Sequence, residues 1–276
     1  MENSSVPSAA SWGAPRGSYF ERVGRSAIDM IREIGAAGLL LWRSIVSLRM
    51  LPRSLGLVVE QMRRIGIESL PLVIITSIFT GAVTAVQAAY QLKEYVPQIY
   101  LGSAIYKSVA IELGPVLTAL VVGGRVGASI AAELGTMRVT EQIDAMDAMA
   151  IDPIRYLAMP RLIGALIMLP VLTVFADVLA IAGAYVVSAV SLGISARVFV
   201  SGMQLFFFPG DVLGGLIKAF VFGGIIALMG CTAGLQTRGG AVGVGRAATR
   251  AVVASCVLIL VSDYVLATLL FKILFG

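Results

Sequence analysis

The chain lacks histidine, has two cysteines and carries few charged residues. Charged side chains make up 13% of its 276 residues and hydrophobic side chains 58%, whereas a soluble domain carries roughly 25% charged residues. The absence of histidine removes the commonest general base and transition-metal ligand, which argues against a metalloenzyme or a Ser-His hydrolase. Cys231 and Cys256 lie in apolar stretches and are interpreted as small core residues. The composition therefore indicates an integral membrane protein and argues against these two classes of enzyme.

The first 63 residues are too polar to span a membrane. Residues 1–18 are mainly Ser, Ala, Pro and Gly, which predicts a disordered cytosolic tail, and no signal peptide is recognisable. Residues 19–63 mix arginines with Trp42 and aliphatic side chains, and their apolar run, residues 36–42, is shorter than the roughly 20 residues of a spanning helix. We predict an amphipathic helix in the membrane interface, with a partly disordered basic segment as the alternative.

Five apolar stretches follow in residues 64–276, each long enough to cross a bilayer. The predicted spans are residues 65–90, 104–134, 157–192, 212–235 and 247–275. The third span is long enough to cross with a tilt or with a break, and because proline interrupts helical hydrogen bonding, Pro170 is the expected place for a break. Lysine and arginine are concentrated before the first span and in the segments after the second and fourth. The positive-inside rule then places the N-terminus in the cytosol and the C-terminus outside.

The net charge of +5 follows from this asymmetry. A basic face on anionic lipid explains it better than nucleic-acid binding does.

A polar segment, residues 136–151, separates the second and third spans, and we call it the acidic segment. Its apolar side chains have the spacing of one helical face: Val139, Ile143, Met146 and Ala150. Its acidic side chains lie on an adjacent face: Glu141, Asp144 and Asp147. The anionic inner leaflet would repel such a face, so we predict docking to a cytosolic protein and not to the membrane. Asp152-Pro153 is expected to end the helix.

The glycine-rich stretch RGGAVGVGR, residues 238–246, is not interpreted as a phosphate-binding loop. It lacks the Gly-Lys-Ser/Thr end of a Walker A motif and follows a membrane span instead of a strand. We predict a tight cytosolic turn. The sequence contains no other nucleotide-binding motif, so we expect no cofactor in this chain and assign any ATP and Mg²⁺ to another polypeptide.

Small and ionisable residues inside the spans indicate helix packing and polar contacts. Small residues at four-residue spacing in the second span favour close helix packing: Gly123, Gly127, Ala131 and Gly135. Ionisable groups within spans usually face a partner or a cavity, and they are Glu112, Arg125, Glu133, Asp177, Lys218 and Asp263. Lys218 and Asp263 lie in different spans, and we predict a structural pair between them in preference to a proton relay. Gln87 and Glu112 either line a cavity for a lipid headgroup or satisfy local hydrogen bonds.

The residues ELGPVLTALVVGGRVGASIAAELGTMRVTEQIDAMDAMAIDPIRYLAMPR, followed by GGAVGVGRAATRAVVASCVLILVSDYVL, closely resemble the MlaE/YrbE family of ABC-transporter permeases, from about residue 65 onward. The resemblance implies an all-α integral membrane fold. It comprises an N-terminal interfacial elbow helix and five transmembrane helices, with a cytosolic coupling helix at about residues 136–151. It further implies a homodimer in the bacterial inner membrane, a cytosolic ABC ATPase dimer, a periplasmic MCE-domain protein and phospholipid as the cargo.

The resemblance also implies roles for individual residues. Those of the ATPase-coupling face are Arg138, Thr140, Glu141, Gln142, Asp144 and Asp147. Those of an outward lipid pocket near the dimer axis are Gln87, Tyr95, Glu112 and Leu113. Lys218 and Asp263 match intramembrane charges of the family pattern. Some relatives carry arginine directly before the ELGP glutamate, and this chain has Ile111 there, so a headgroup contact by that arginine is not carried over.

Two other functions compete with a lipid-transport permease. An intramembrane lipid-modifying enzyme would use Glu112 or Asp177, but the chain has no histidine, and no Ser or Cys stands beside a candidate base. A channel would conduct ions without nucleotide, which the small-residue pattern does not predict.

Overall fold

The computed structural model describes residues 35–47, 54–92 and 97–275, and within these ranges it contains helices and turns and no strand. Five segments are long and apolar enough to cross a membrane: Leu55–Gln91, Tyr100–Val139, Ile154–Ser191, Pro209–Leu235 and Gly240–Ile273. The helical class and the number of spans are therefore confirmed. Each segment begins several residues before the predicted start, because polar residues continue the helices beyond the apolar stretches.

The N-terminal region is described from Gly35 onward, so the predicted tail and residues 19–34 lie outside the described residues. Helix α1, Gly35–Ser47, exposes Trp42 and buries Leu40. Helix α2, Leu55–Gly66, carries Arg63 and Arg64 in its last turn and continues through a 3₁₀ turn, Ile67–Ser69, into α3, Leu70–Leu92. Residues 55–63, which were assigned to the interfacial region, therefore belong to the first long helix.

The described residues from 97 to 275 form seven helices and two π-helical turns. They are α4 (Tyr100–Ser108), the π turn Val109–Leu113, α5 (Gly114–Val139), α6 (Gln142–Ala148), the π turn Ile154–Ala158, α7 (Met159–Leu192), α8 (Ala196–Leu205), α9 (Pro209–Leu235) and α10 (Gly240–Phe275). Of the two alternatives for the third span, a tilt or a break at Pro170, the break does not occur, because α7 runs continuously through this residue. Membrane helices tolerate proline where neighbouring helices compensate the lost hydrogen bond, and α7 is packed by α3 and α9.

The acidic segment contains a shorter helix than predicted. Helix α5 ends at Val139, Glu141 adopts a left-handed conformation with φ 59°, and α6 covers only Gln142–Ala148. Ala150 is also left-handed, with φ 57°, so the chain leaves the helix before Asp152-Pro153. Of the predicted apolar face only Ile143 is buried, while Val139 and Ala150 are exposed.

Helices α5, α7 and α9 form the centre of the bundle. Their buried side chains, together with Ile259 of α10, make one hydrophobic core that includes Val122, Leu169, Phe222 and Ile226. Helices α9 and α10 are joined by residues 236–239, where Gly239 has φ 89°. The predicted turn over residues 238–246 is therefore too long, since Gly240–Arg246 is already helical.

Candidate functional site

A cluster of three charged side chains lies where α9 and α10 meet the π turn before α5. Lys218 of α9 donates a hydrogen bond from Nζ to Glu112 Oε1 at 2.6 Å. The same Nζ lies 3.0 Å from Asp263 Oδ1 of α10, as an ion pair without hydrogen-bond geometry. The Lys218 side chain is 2% exposed, against 43% for Glu112 and 20% for Asp263. Two carboxylates thus compensate one buried ammonium group.

The π turn determines where Glu112 points. It adds a residue to the helical turn, closed by the hydrogen bond from Gly114 N–H to the carbonyl of Val109. Such turns are uncommon and occur frequently at functional sites. Gly215 of α9 contacts the carbonyl of Ala110 so closely that a β-carbon would not fit. The absence of a side chain at Gly215 therefore lets α9 bring Lys218 up to Glu112.

The other residues assigned to a lipid pocket have separate surroundings within one chain. Leu113 lines a small void between α3, α5 and α7, beside hydroxyl-bearing residues such as Thr80 and Thr118. Gln87 is exposed in an apolar groove of about 450 Å³ between α3 and α7, next to Tyr90 and Val187. Tyr95 lies outside the described residues. Within one chain, Gln87 and Leu113 therefore do not line the same cavity. A single lipid pocket that includes both would need a second copy of the chain.

The small-residue stripe of α5 lies against α9. The nearest atoms of α9 to a β-carbon added at Gly123 and Gly127 belong to Ile226, at 3.3 and 3.7 Å. A β-carbon at Gly234 of α9 would lie 3.1 Å from the carbonyl oxygen of Ala131. At the end of the stripe, a β-carbon at Gly135 would lie 2.8 Å from Thr237 Oγ1. The stripe thus contacts α9 from Gly123 to Ala131, about two helical turns, and Gly135 contacts the segment that joins α9 to α10.

The residues assigned to ATPase coupling lie together at the end of α5, in the turn that follows it and on α6. Arg138 forms an ion pair with Asp144. Thr140 Oγ1 donates to the carbonyl of Thr136 at 2.9 Å and accepts a hydrogen bond from Gln142 Nε2 at 3.0 Å. These local bonds compete with the helical ladder and favour the turn at this point. Glu141 and Asp147 are exposed, so an acidic surface is available for contact with another protein.

A second ion-pair network lies at the same end of the bundle and was not predicted. Glu133, one turn before Thr136 in α5, contacts Arg161 Nη2 of α7 at 2.9 Å and Arg64 Nη1 of α2 at 3.5 Å. Glu133 is one of the intramembrane charges expected from the sequence, and the two arginines belong to the basic segments on which the predicted orientation rests. The signal available in the sequence was position, since Glu133 precedes the acidic segment and Arg161 follows it, near the ends of the two helices that the segment connects.

Arg125, another of the predicted intramembrane charges, binds the junction of α2 and α3. Its Nη2 donates to the carbonyl of Arg64 at 2.6 Å, its Nε to Ser69 Oγ at 3.1 Å and its Nη1 to Glu68 at 3.3 Å. The change from α2 to the 3₁₀ turn leaves backbone groups to satisfy. Arg125 supplies part of that hydrogen bonding.

A family model described as Permease MlaE matches residues 58–269. This range includes the charge cluster, the small-residue stripe, the acidic segment and the Glu133 network. The chain belongs to the MlaE permease family. The resemblance stated from the sequence is therefore confirmed.

Curated relatives extend the similarity over most of the chain. A probable ABC transporter permease protein of Rickettsia felis is 41% identical over 251 residues, covering 91% of this chain and 97% of the relative. One of Synechocystis is 44% identical over 213 residues, covering 77% and 81%. The intermembrane phospholipid transport system permease protein MlaE of Haemophilus influenzae is 31% identical over 255 residues, covering 92% and 98%.

Membership of the MlaE family makes this chain a multi-pass membrane permease of an ABC transporter. Its relatives are named as transport proteins and not as enzymes. An ABC permease works with an ATPase, in agreement with the absence of a nucleotide-binding motif in this sequence.

Proposed function

We propose that this chain is the permease subunit that moves phospholipid between the inner and outer membranes of a bacterial envelope. The observation that carries this proposal is the nearly full-length similarity to the Haemophilus influenzae protein named for intermembrane phospholipid transport. Two copies form the lipid pathway in the inner membrane, with the N-terminus in the cytosol and the C-terminus in the periplasm. A separate ATPase dimer binds ATP and Mg²⁺, and a periplasmic MCE-domain protein receives or delivers the lipid.

The separation of the two polar sites supports a division of roles. Glu112 and Thr140 are separated by 28 positions of nearly continuous helix, which corresponds to about 40 Å at 1.5 Å per residue. The ATPase contacts the exposed acidic segment at one end of this helix. The lipid headgroup lies near Glu112 and Leu113 at the other. Helix α5 therefore links the motor contact to the lipid site.

The apolar surface of α3 supports a lipid pathway between two copies. Large side chains remain exposed along it, including Phe79, Val83 and Tyr90, and the groove that contains Gln87 lies on the same surface. In the homodimer, the partner copy supplies the second wall that one chain lacks. Acyl chains then occupy an apolar space whose polar end is marked by Gln87 and Glu112.

The test is ATP-dependent phospholipid transfer by the purified complex. The chain, its ATPase and its MCE-domain partner are reconstituted in vesicles with a fluorescent phospholipid, and transfer to acceptor membranes is followed with ATP and with a hydrolysis-deficient ATPase. We expect transfer only with active ATPase. Ion conductance without nucleotide would instead indicate a channel, and conversion of the lipid to a new product would indicate an enzyme.

A bulky side chain at Leu113 tests the lipid site directly. Leu113→Trp adds volume beside the void between α3, α5 and α7, so the complex should carry less phospholipid, measured by mass spectrometry of extracted lipid. Val190→Trp is the control, because Val190 is 81% exposed on α7. Equal lipid content in both variants and in the wild type would contradict the assignment of Leu113.

A further inference from the structure

Glu133 joins three helices at the base of the acidic segment. Its Oε2 contacts Arg161, the third residue of α7, and its Oε1 contacts Arg64 near the end of α2. Glu133 itself lies in the last two turns of α5. We refer to Arg64, Glu133 and Arg161 as the base triad. The chain between Glu133 and Arg161 contains the whole acidic segment. The triad therefore connects the two ends of that segment where they join the helix bundle.

The two contacts of Glu133 have different physical characters. The Arg161 side chain is 4% exposed, and it also donates from Nη1 to the carbonyl of Leu157 at 2.7 Å. A guanidinium buried to this extent requires a nearby carboxylate, so the bond to Arg161 is a requirement of folding. The Arg64 side chain is 46% exposed and its distance to Glu133 is 3.5 Å. An exposed pair of this kind contributes little to stability.

The contact between Arg64 and Glu133 is therefore not explained by a contribution to the stability of the fold. Arg64 already has a carboxylate partner within its own helix, since its Nε donates to Glu60 at 2.9 Å. Its second contact crosses to α5 and connects α2 to a helix that continues directly to the acidic segment. Ion-pair networks between rigid helices are one of the physical routes by which displacement at one site biases another.

We propose that Glu133 and Arg64 are positioning residues that transmit movement of the acidic segment to α2. When the ATPase displaces the acidic segment, the base triad makes the ends of α5 and α7 move together and moves α2 with them. Because α2 continues into α3, the movement reaches the helix that lines the apolar groove. This inference rests on the proposed function and adds the path by which the motor acts on the lipid-facing helix.

Arg64→Gln is the informative variant, and Arg63→Gln is its matched control. Both arginines pair with Glu60 in the same helical turn, but of the two only Arg64 is paired with Glu133. The carbonyl of Arg64 that accepts from Arg125 belongs to the backbone and is retained in the variant. Arg64→Lys keeps the positive charge and should partly restore whatever Arg64→Gln loses.

Hydrogen–deuterium exchange of residues 55–66 tests the transmission itself. The complex with its ATPase is compared without nucleotide and with a non-hydrolysable ATP analogue. We expect nucleotide to change exchange in α2 of the wild type and of Arg63→Gln, and this response to be lost in Arg64→Gln. A response retained in Arg64→Gln, or absent from the wild type, would overturn the inference. This readout requires no lipid transport.

Phospholipid transferred per ATP hydrolysed is measured on the same proteins. Arg64→Gln should lower this ratio severalfold while the complex stays assembled and its melting temperature stays at that of Arg63→Gln, a pattern that loss of folding would not produce. Arg64→Gln with the ratio of Arg63→Gln would also overturn the inference. A wild-type complex that transfers no phospholipid would refute the proposed function, and the exchange measurement would still decide the role of the triad.

Discussion

At the scale of single residues, Lys218 is a buried cation that depends on two carboxylates. Its ammonium group is almost fully removed from solvent and is held between Glu112 and Asp263. Ionisable groups in a membrane span are costly and persist where they pair. Because the two carboxylates come from different segments, the lysine also fixes α9 relative to α10 and to the π turn.

Removing this lysine should destabilise the protein. Lys218→Met leaves two carboxylates close together without their cation; breaking a fully buried ion pair from one side costs about 3–5 kcal/mol, and the cost is smaller here because Glu112 is 43% exposed. Thermal unfolding in detergent should therefore show a lower melting temperature. Lys272→Met is the control, because Lys272 is exposed on α10. A melting temperature of Lys218→Met equal to that of this control would contradict the structural role of the cluster.

At the scale of elements, the contact between α5 and α9 depends on the absence of side chains. In lipid, helix association relies on close packing and not on the hydrophobic effect, so small residues at an interface stabilise it by letting the two backbones approach closely. A β-carbon at Gly234 would lie 2.7 Å from Cβ of Leu134 and 3.1 Å from the carbonyl oxygen of Ala131. Neither atom belongs to the flexible end of a side chain, so α9 would have to move.

Gly234→Val should therefore force α5 and α9 apart. Overpacking of this kind costs about 1–3 kcal/mol, which unfolding in detergent should detect as a lower melting temperature. Gly124→Val is a matched control in the partner helix, because a β-carbon at Gly124 meets no neighbouring atom within 4 Å. Equal melting temperatures for the two variants would contradict the close approach of the helices.

The sequence allowed the spans to be predicted because hydropathy depends on residue type alone. The same holds for the small-residue spacing, which identifies a packing face without identifying the partner helix. The π turn before Gly114 and the left-handed Glu141 could not be predicted, since each depends on contacts between segments. The continuous helix through Pro170 could not be predicted either, because it also depends on contacts with neighbouring helices. The base triad was missed because pairing Glu133 with Arg64 and Arg161 requires knowing which helices are neighbours.

A charge reversal in the acidic segment tests whether this segment binds the ATPase. Asp147 is exposed on α6 and forms no ion pair within the described residues, so Asp147→Lys changes surface charge without breaking an internal bond. We expect the variant to insert in the membrane but to lose co-purification with the ATPase. Arg197→Glu, an exposed charge reversal on α8, should retain it. Normal ATPase binding by Asp147→Lys would argue against the acidic segment as the docking surface.

At the scale of the whole molecule, the order of the spans places α6 and α8 on opposite sides of the membrane. Helix α7, which spans, lies between them in the chain. Arginines are concentrated on the side of α6, including Arg138, Arg155 and Arg161. The positive-inside rule therefore predicts that α6 faces the cytosol and α8 the periplasm. This orientation is required if a cytosolic ATPase is to reach the acidic segment.

Single-cysteine labelling tests this orientation. Asp147→Cys and Arg197→Cys are each introduced after both native cysteines, Cys231 and Cys256, are replaced by serine. A membrane-impermeant maleimide added to intact spheroplasts should label Arg197→Cys and not Asp147→Cys, and both should react after permeabilisation because both positions are exposed. Labelling of Asp147→Cys in intact spheroplasts would show that the chain has the opposite orientation. The acidic segment would then face away from any source of ATP, and the proposed coupling through α5 would fail with it.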